Sequence, residues 1–405
     1  MKRRIPLLLA LAGIAACSTP PTNVLPPVPL AGISEPLPVA TRWKRSLGFG
    51  VYDNYLKLRP HFYQNRGYGV DYYGKVIAFD PVTGETLWET HLELPLSTGP
   101  VVIDGRLYTG SSQGDLVALD PENGRELWRT RVSSEVLAPP AGEEGLLVVR
   151  TVDGRVTGLN ASNGKRRWVV DTRVPLLSLR GTSAPVISDG IVLVGSDSGK
   201  LTAMTLIDGT VLWDVQVAEP TGRSELERMI DIDATPVVRD GIVYVVTFQG
   251  RLATVQMETG RILWVRDISS HTGMVLDENR VYLSDSESRI WALNRFNGAT
   301  LWRQDKLLRR AVTAPILKDG YLVLGDYDGY VHWLEKEDGK LVARKRIQEG
   351  WYLFNDEARE LETVFPRDNN ILVAPLAEKH LIVAVDRLGH IRGYQLNPSP
   401  TESVF

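Results

Sequence analysis

Residues 114–128 read Gly-Asp-Leu-Val-Ala-Leu-Asp-Pro-Glu-Asn-Gly-Arg-Glu-Leu-Trp, from Gly114 to Trp128. Leu116-Val117-Ala118-Leu119 is a short apolar run, and Asp120-Pro121-Glu122-Asn123-Gly124 is dense in turn formers. Glu126-Leu127-Trp128-Arg129 then resumes an extended pattern. Two short apolar runs separated by turn chemistry predict an antiparallel hairpin. Upstream, Val101-Val102-Ile103, the turn Asp104-Gly105 and Leu107-Tyr108-Thr109 predict another, joined to the first through Ser111-Ser112-Gln113-Gly114. The unit is a four-stranded meander, with Gly114 and Gly124 at turn positions that need φ > 0.

The same spacing recurs along the chain at intervals of about 40 to 50 residues, the mark of a repeat architecture. Trp88, Trp128, Trp168, Trp213, Trp264 and Trp302 hold its last position, and Ala343 stands there in the seventh copy. Gly84, Gly124, Gly164, Gly209, Gly260, Gly298 and Gly339 precede them in constant register. One such sheet cannot cover both of its faces alone, whereas copies arranged radially can, which predicts a β-propeller. Arg387-Leu388-Gly389-His390-Ile391-Arg392-Gly393-Tyr394 matches the middle of a further repeat whose fourth strand is missing. Arg42-Trp43-Lys44-Arg45 reads as that strand, displaced to the other end of the chain. Joining the two removes open sheet edges, which otherwise invite aggregation. The expectation is an all-β, eight-bladed, monomeric propeller of four-stranded antiparallel blades over residues 41–397, closed by an N-terminal strand, with a tail at 398–405.

Lys2-Arg3-Arg4, the apolar run from Ile5 to Ala12 and the small residues before Cys17 predict a secretory signal over residues 1–16. Ile14-Ala15-Ala16-Cys17 resembles the bacterial lipobox, which implies lipidation of Cys17. Ser18 lacks the Asp that favours inner-membrane retention, so the expected location is the periplasmic face of the outer membrane, reached through the lipid anchor. Residues 17–40 contain the lipidated Cys and a proline-rich stretch expected to act as a stiff extended spacer. Cys17 is the single cysteine, so no intramolecular disulfide is possible. With 46 Lys+Arg against 49 Asp+Glu, the balance argues against a nucleic-acid partner.

Catalytic chemistry is sparse. His61, His91, His271, His332, His380 and His390 form no metal-binding pair at helical spacing, and no nucleophile elbow or phosphate loop occurs. The repeat resembles the tryptophan-docking motif of quinoprotein dehydrogenases, which are eight-bladed and hold pyrroloquinoline quinone on the propeller axis. That resemblance implies a calcium site of carboxylates and amides, a catalytic Asp and often a vicinal disulfide. The lone Cys and the short chain argue against such an enzyme, so no catalytic residue, cofactor or metal is expected. The repeat tryptophans read as packing between blades.

Insertions between repeats mark the working surface of such a protein. Most connections are short, as from Trp88 to Pro100. Those from Trp168 to Pro185, from Trp213 to Pro236 and from Ala343 to Pro375 are long. The first two are consecutive and emerge side by side on one face. One carries Leu176-Leu177-Ser178-Leu179-Arg180, apolar where a loop should be polar. The other begins with a helical stretch at Arg223 and ends in Asp231-Ile232-Asp233. Two readings follow: a satellite core in which Arg180 pairs with Asp231, or a partner site with apolar anchors and a charged fork at its rim.

Lipobox, proline-rich spacer, repeat and paired loops together resemble the BamB family of outer-membrane β-barrel assembly lipoproteins. The resemblance covers nearly the whole mature chain. It implies a non-catalytic scaffold in which Leu177, Leu179, Arg180, Asp231 and Asp233 contact a POTRA domain of BamA. It also implies help in inserting outer-membrane proteins, whose unfolded chains would pair with an exposed blade edge. The alternatives are a quinone-dependent periplasmic dehydrogenase and a lipoprotein propeller serving another envelope complex. The departure at Ala343 leaves one blade interface without its docking ring.

Overall fold

A computed structural model describes residues 25–51, 54–172, 174–175, 183–224, 226–348, 351–355, 360–364 and 370–396. The signal segment 1–16, Cys17 and the tail 398–405 lie outside the described residues. Within the described residues every element is a strand, and the strands form eight four-stranded antiparallel sheets and one two-stranded hairpin. The unit around Gly114 is one of them, built in sequence order from Val101–Ile103, Arg106–Gly110, Asp115–Leu119 and Glu126–Arg131. Its innermost strand touches His61–Tyr63 on one side and Ala141–Glu143 on the other, and this contact repeats from blade to blade about an axis. The chain is an eight-bladed β-propeller.

Burial follows from that arrangement. Middle strands are covered on both faces by neighbouring blades, and Leu107, Tyr108, Leu116 and Leu119 are fully buried. Outermost strands expose alternate residues, such as Leu87 and Leu127. Between blades, each docking ring reaches across to the next turn. The Trp88 indole N–H donates to the carbonyl of Pro121 at 3.0 Å, and that of Trp128 to Ala161 at 3.0 Å. Gly124 is required twice over at this dock: its φ is +73°, and a Cβ there would fall 2.6 Å from the Trp88 ring.

The eighth blade closes as expected. Val39–Ser46 pairs antiparallel with His390–Leu396, from Val39 opposite Leu396 to Ser46 opposite His390. The Trp43 N–H donates to Pro81 O at 3.0 Å, so the closing strand also docks on the first blade.

Three details depart from expectation. The interface at Ala343 does hold a ring: Trp333, from the neighbouring third strand, is fully buried there against Tyr394. The proline-rich stretch is not a free spacer over its second half. Val28 N–H donates to Leu308 O at 3.1 Å and Leu37 N–H to Val342 O at 2.8 Å, while Leu30 and Leu37 pack on the sixth to eighth blades. The apolar residues of this stretch find partners, which an isolated polyproline segment would lack. The segment expected as helical makes a single turn at Leu226–Arg228, closed by reciprocal bonds between Ser224 and Glu227. The long connection between the seventh and eighth blades contains an added hairpin, Trp351–Asn355 with Glu360–Val364.

Candidate functional site: the connector face and the axial cavity

Connections from each outermost strand to the next innermost strand run beside the second-to-third turns. Ile232 N–H donates to Ser196 O at 3.2 Å, and Phe248 N–H to Asp231 O at 2.8 Å. These bonds tie the connector entering the fifth blade to turns of both the fourth and the fifth. Ile230 and Ile232 are buried, and a Cβ on Gly195 would lie 2.3 Å from Ile232 Cγ2, so the connector is packed tightly there. Ala184 N–H donates to Thr235 Oγ1 at 3.3 Å and joins the two long connectors. They are neighbours, as their order in the chain requires.

Leu177, Leu179 and Arg180 lie outside the described residues. Asp231 and Asp233 are both placed, and both are buried, at 0% and 5% exposure. The carboxylates expected at an exposed rim therefore sit beneath the surface, because the flanking isoleucines draw the backbone into the gap between blades. What this face exposes instead is Leu226, at 62%, together with part of Val174. Leu226 had no distinguishing signal in sequence beyond its place in a long connector.

Asp233 also lines a cavity of about 480 Å³ on the axis, walled by connector residues and the innermost strands. Lys57, Arg59, His61 and His271 line it too, between prolines and aliphatic side chains of the innermost strands. Arg59 is held by the eighth blade, donating through Nε to Ala374 O at 3.1 Å and through Nη2 to Pro375 O at 2.9 Å. Lys57 donates to His271 O at 3.4 Å. Burial pushes the Asp233 carboxyl up to about 6, assisted by Asp197 and opposed by Lys57 and Arg150. Burial holds the Lys57 ammonium below its ordinary value, with Asp233 opposing, and brings His271 down to about 4, with Lys57 adding to the effect. Behind Asp233, the buried Arg150 and Asp197 pair across the third and fourth blades. None of these cavity residues belongs to the repeat pattern; in sequence Asp233 stands out through its Asp-x-Asp segment, and His61 and His271 only as scattered histidines.

The resemblance of the repeat to quinoprotein dehydrogenases implies a cofactor and a calcium site on the propeller axis, where this cavity lies. Its described lining offers one carboxylate, Asp233, beside Lys57 and Arg59. That donor set does not fit a calcium ion ringed by carboxylates and amides.

Comparison with known proteins places the chain. The family model described as outer membrane protein assembly factor BamB matches residues 73–304. The BamB of Alkalilimnicola ehrlichii is 49% identical over 85% of this chain and 89% of its own length. That of Pseudomonas aeruginosa is 47% identical over 84% and 90%, and that of Escherichia coli 37% over 85% and 91%. The crystal structure of BamB from Moraxella catarrhalis superposes with a TM-score of 0.75 at 25% identity, covering 88% of this chain and 99% of that one. A quinohemoprotein alcohol dehydrogenase from Comamonas testosteroni reaches 0.67 at 11% identity over 89% and 77%, a likeness of fold alone. A repeat in constant register, closure by an N-terminal strand and identity along most of the chain converge: this protein belongs to the outer membrane protein assembly factor BamB family.

Proposed function

We propose that the protein is a non-catalytic scaffold of the outer-membrane β-barrel assembly complex, lipid-anchored at Cys17 on the periplasmic face, that binds a POTRA domain of BamA and assists insertion of outer-membrane proteins. Family membership supports the assembly role. The observation that carries the location of the partner site is the pair of adjoining long connectors, linked by Ala184 and Thr235 on one face. In this reading Leu177, Leu179 and Arg180 supply the contact, as apolar anchors with a charged neighbour. Asp231 and Asp233 belong to the adjoining connector, where both are buried. The exposed Leu226 extends the apolar surface.

The test is direct. The purified POTRA domains of BamA are titrated onto the protein, and one-to-one binding that competes with a peptide spanning residues 174–184 is expected. Binding that survives deletion of that connector with unchanged affinity overturns the placement. Cys17→Ala is expected to release the protein from membranes stripped of its partner, and retention there refutes the anchor.

A further inference from the structure

Two opposite charges line the axial cavity without being joined to one another. Asp233 is 5% exposed, and its Oδ1 has no hydrogen-bond partner among the described residues. Lys57 makes one long bond, 3.4 Å, to a backbone carbonyl. No ion pair links the two among the described residues, and His271 Nδ1, at the same cavity, is also without a partner. Arg59 is clamped on Ala374 and Pro375, which fixes a further positive charge at the wall. Much of the remaining lining is apolar, including Val101, Val237, Met274 and Ile316, with Tyr55, His61 and three threonines interspersed. Lys57 is half-buried and Arg59 exposed, whereas Asp233 is buried, and a buried carboxylate oxygen left without a hydrogen-bond partner is costly. A fold whose axis needed only filling would do so with aliphatic side chains.

We propose that the axial cavity is a binding site for a small zwitterion with an apolar body, of dipeptide size, its ammonium held by Asp233 and its carboxylate by Lys57 and Arg59. The argument is one of complementarity. A simple cation satisfies Asp233 but meets Lys57 and Arg59, whereas a simple anion does the reverse. A neutral apolar molecule strips water from all three and offers none of them a hydrogen-bond partner. A molecule bearing both charges satisfies both sides, and its side chains rest against the aliphatic wall. The volume of about 480 Å³ lies within the range of small-molecule sites, roughly 300 to 1,000 Å³. Asp233 is also part of the connector entering the fifth blade, so an occupant would brace the loop from the axis. The site itself does not depend on which partner that loop meets.

The experiment is calorimetric titration of the detergent-solubilised full-length protein with L-leucyl-L-leucine, its N-acetyl derivative and its C-terminal amide. Saturable one-to-one binding of the free dipeptide is expected, weakened about tenfold or more by capping either end. Asp233→Asn should weaken the free dipeptide and abolish the penalty for N-acetylation. Lys57→Met should do the same for the C-terminal amide. That selective loss is something a merely structural defect would not produce, and circular dichroism melting confirms that each variant is folded. Absence of saturable binding overturns the proposal. So does equal binding of capped and free peptides, or a penalty pattern unchanged in both variants.

Discussion

Trp333 and Ala343 face one another across the third and fourth strands of the seventh blade, the reverse of the pair found elsewhere. Ala78 faces Trp88, Ala118 faces Trp128 and Ala292 faces Trp302, with the ring always on the outermost strand. Each of those rings rests on a glycine in the third-to-fourth turn of the following blade, as Trp302 does on Gly339. The eighth blade has no such turn, because its third strand ends at Leu396 and its fourth begins at Val39. A ring at position 343 would find neither glycine nor carbonyl to dock on. The aromatic volume is supplied from position 333 instead, packed edge-on against Tyr394 at 5.9 Å between ring centres. Its indole N–H finds no acceptor among the described residues, as expected for a ring used only for its bulk.

Trp333→Ala should therefore cost about 3 to 5 kcal/mol of stability in urea unfolding. Adding Ala343→Trp should fail to restore it. A double variant as stable as the original chain would show that the dock is present after all.

The closing strand carries comparable weight. Trp43→Ala removes a buried ring that meets Gly84, Pro81 and Phe79, and should destabilise by about 3 to 5 kcal/mol. Removing residues 41–47 should leave His390–Leu396 as an open edge and yield an aggregating protein. Light scattering during a thermal ramp distinguishes this from simple loss of stability; a truncated chain that melts unchanged and stays clear refutes closure by this strand.

Leu37 pairs with the outermost strand of the seventh blade, and Val342 beneath it is only 4% exposed, against 48% for Leu301 at the matching position of the sixth. Leu37→Asp should lift this segment at a cost of at least about 1 kcal/mol. Limited proteolysis should then cut between residues 26 and 37 while the propeller stays intact. Equal protection in the two proteins would mean that the segment is held by its other contacts alone.

Two cavity groups give opposite pH dependences. His271 is about 4 in the fold against an ordinary 6.5, so the unfolded chain takes up its proton first. Stability from this group is complete above pH 6.5 and declines as pH falls toward 4. Asp233 is raised to about 6 from 3.8, so the folded state takes up its proton first. Its penalty is greatest above pH 6 and is relieved as pH falls toward 3.8. His271→Gln should flatten the acid decline by less than about 3 kcal/mol, since solvent in the cavity screens it. Asp233→Asn should raise stability at neutral pH relative to pH 4. Chemical denaturation at a series of pH values reads both slopes, and identical slopes in the variants would remove these groups from the account.

At the proposed partner surface, Leu179→Asp and Arg180→Ala should each weaken POTRA binding well over tenfold, since loss of a central anchor costs about 2 kcal/mol or more. Thermal stability should hardly change. Glu122→Ala, in a third-to-fourth turn on the opposite face where Glu122 bridges Arg66, should leave binding unaltered. Variants that lose stability but keep affinity would favour the satellite-core reading of this loop.

The amino-acid sequence by itself determined the architecture, because the repeat is a local code. Turn residues such as Asp120 and Gly124 set each hairpin, and Trp128 placed at a constant distance sets the contact with the next blade. Those choices need only neighbouring residues, so they are legible along the chain. The closing strand was legible for the same reason, since Trp43 keeps the register of the repeat. Only the tertiary structure decided the rest. Asp231 and Asp233 read in sequence as exposed charges, but Ile230 and Ile232 anchor their connector between two blades and bury both. Lys57 and Arg59, Asp233, and His271 come from three connectors, entering the first, fifth and sixth blades, and meet only where the ring brings its inner edges together. The docking of the proline-rich segment and the inverted Trp333–Ala343 pair both follow from where the ring is broken. Ring closure is a long-range event, and no local pattern records what it brings into contact.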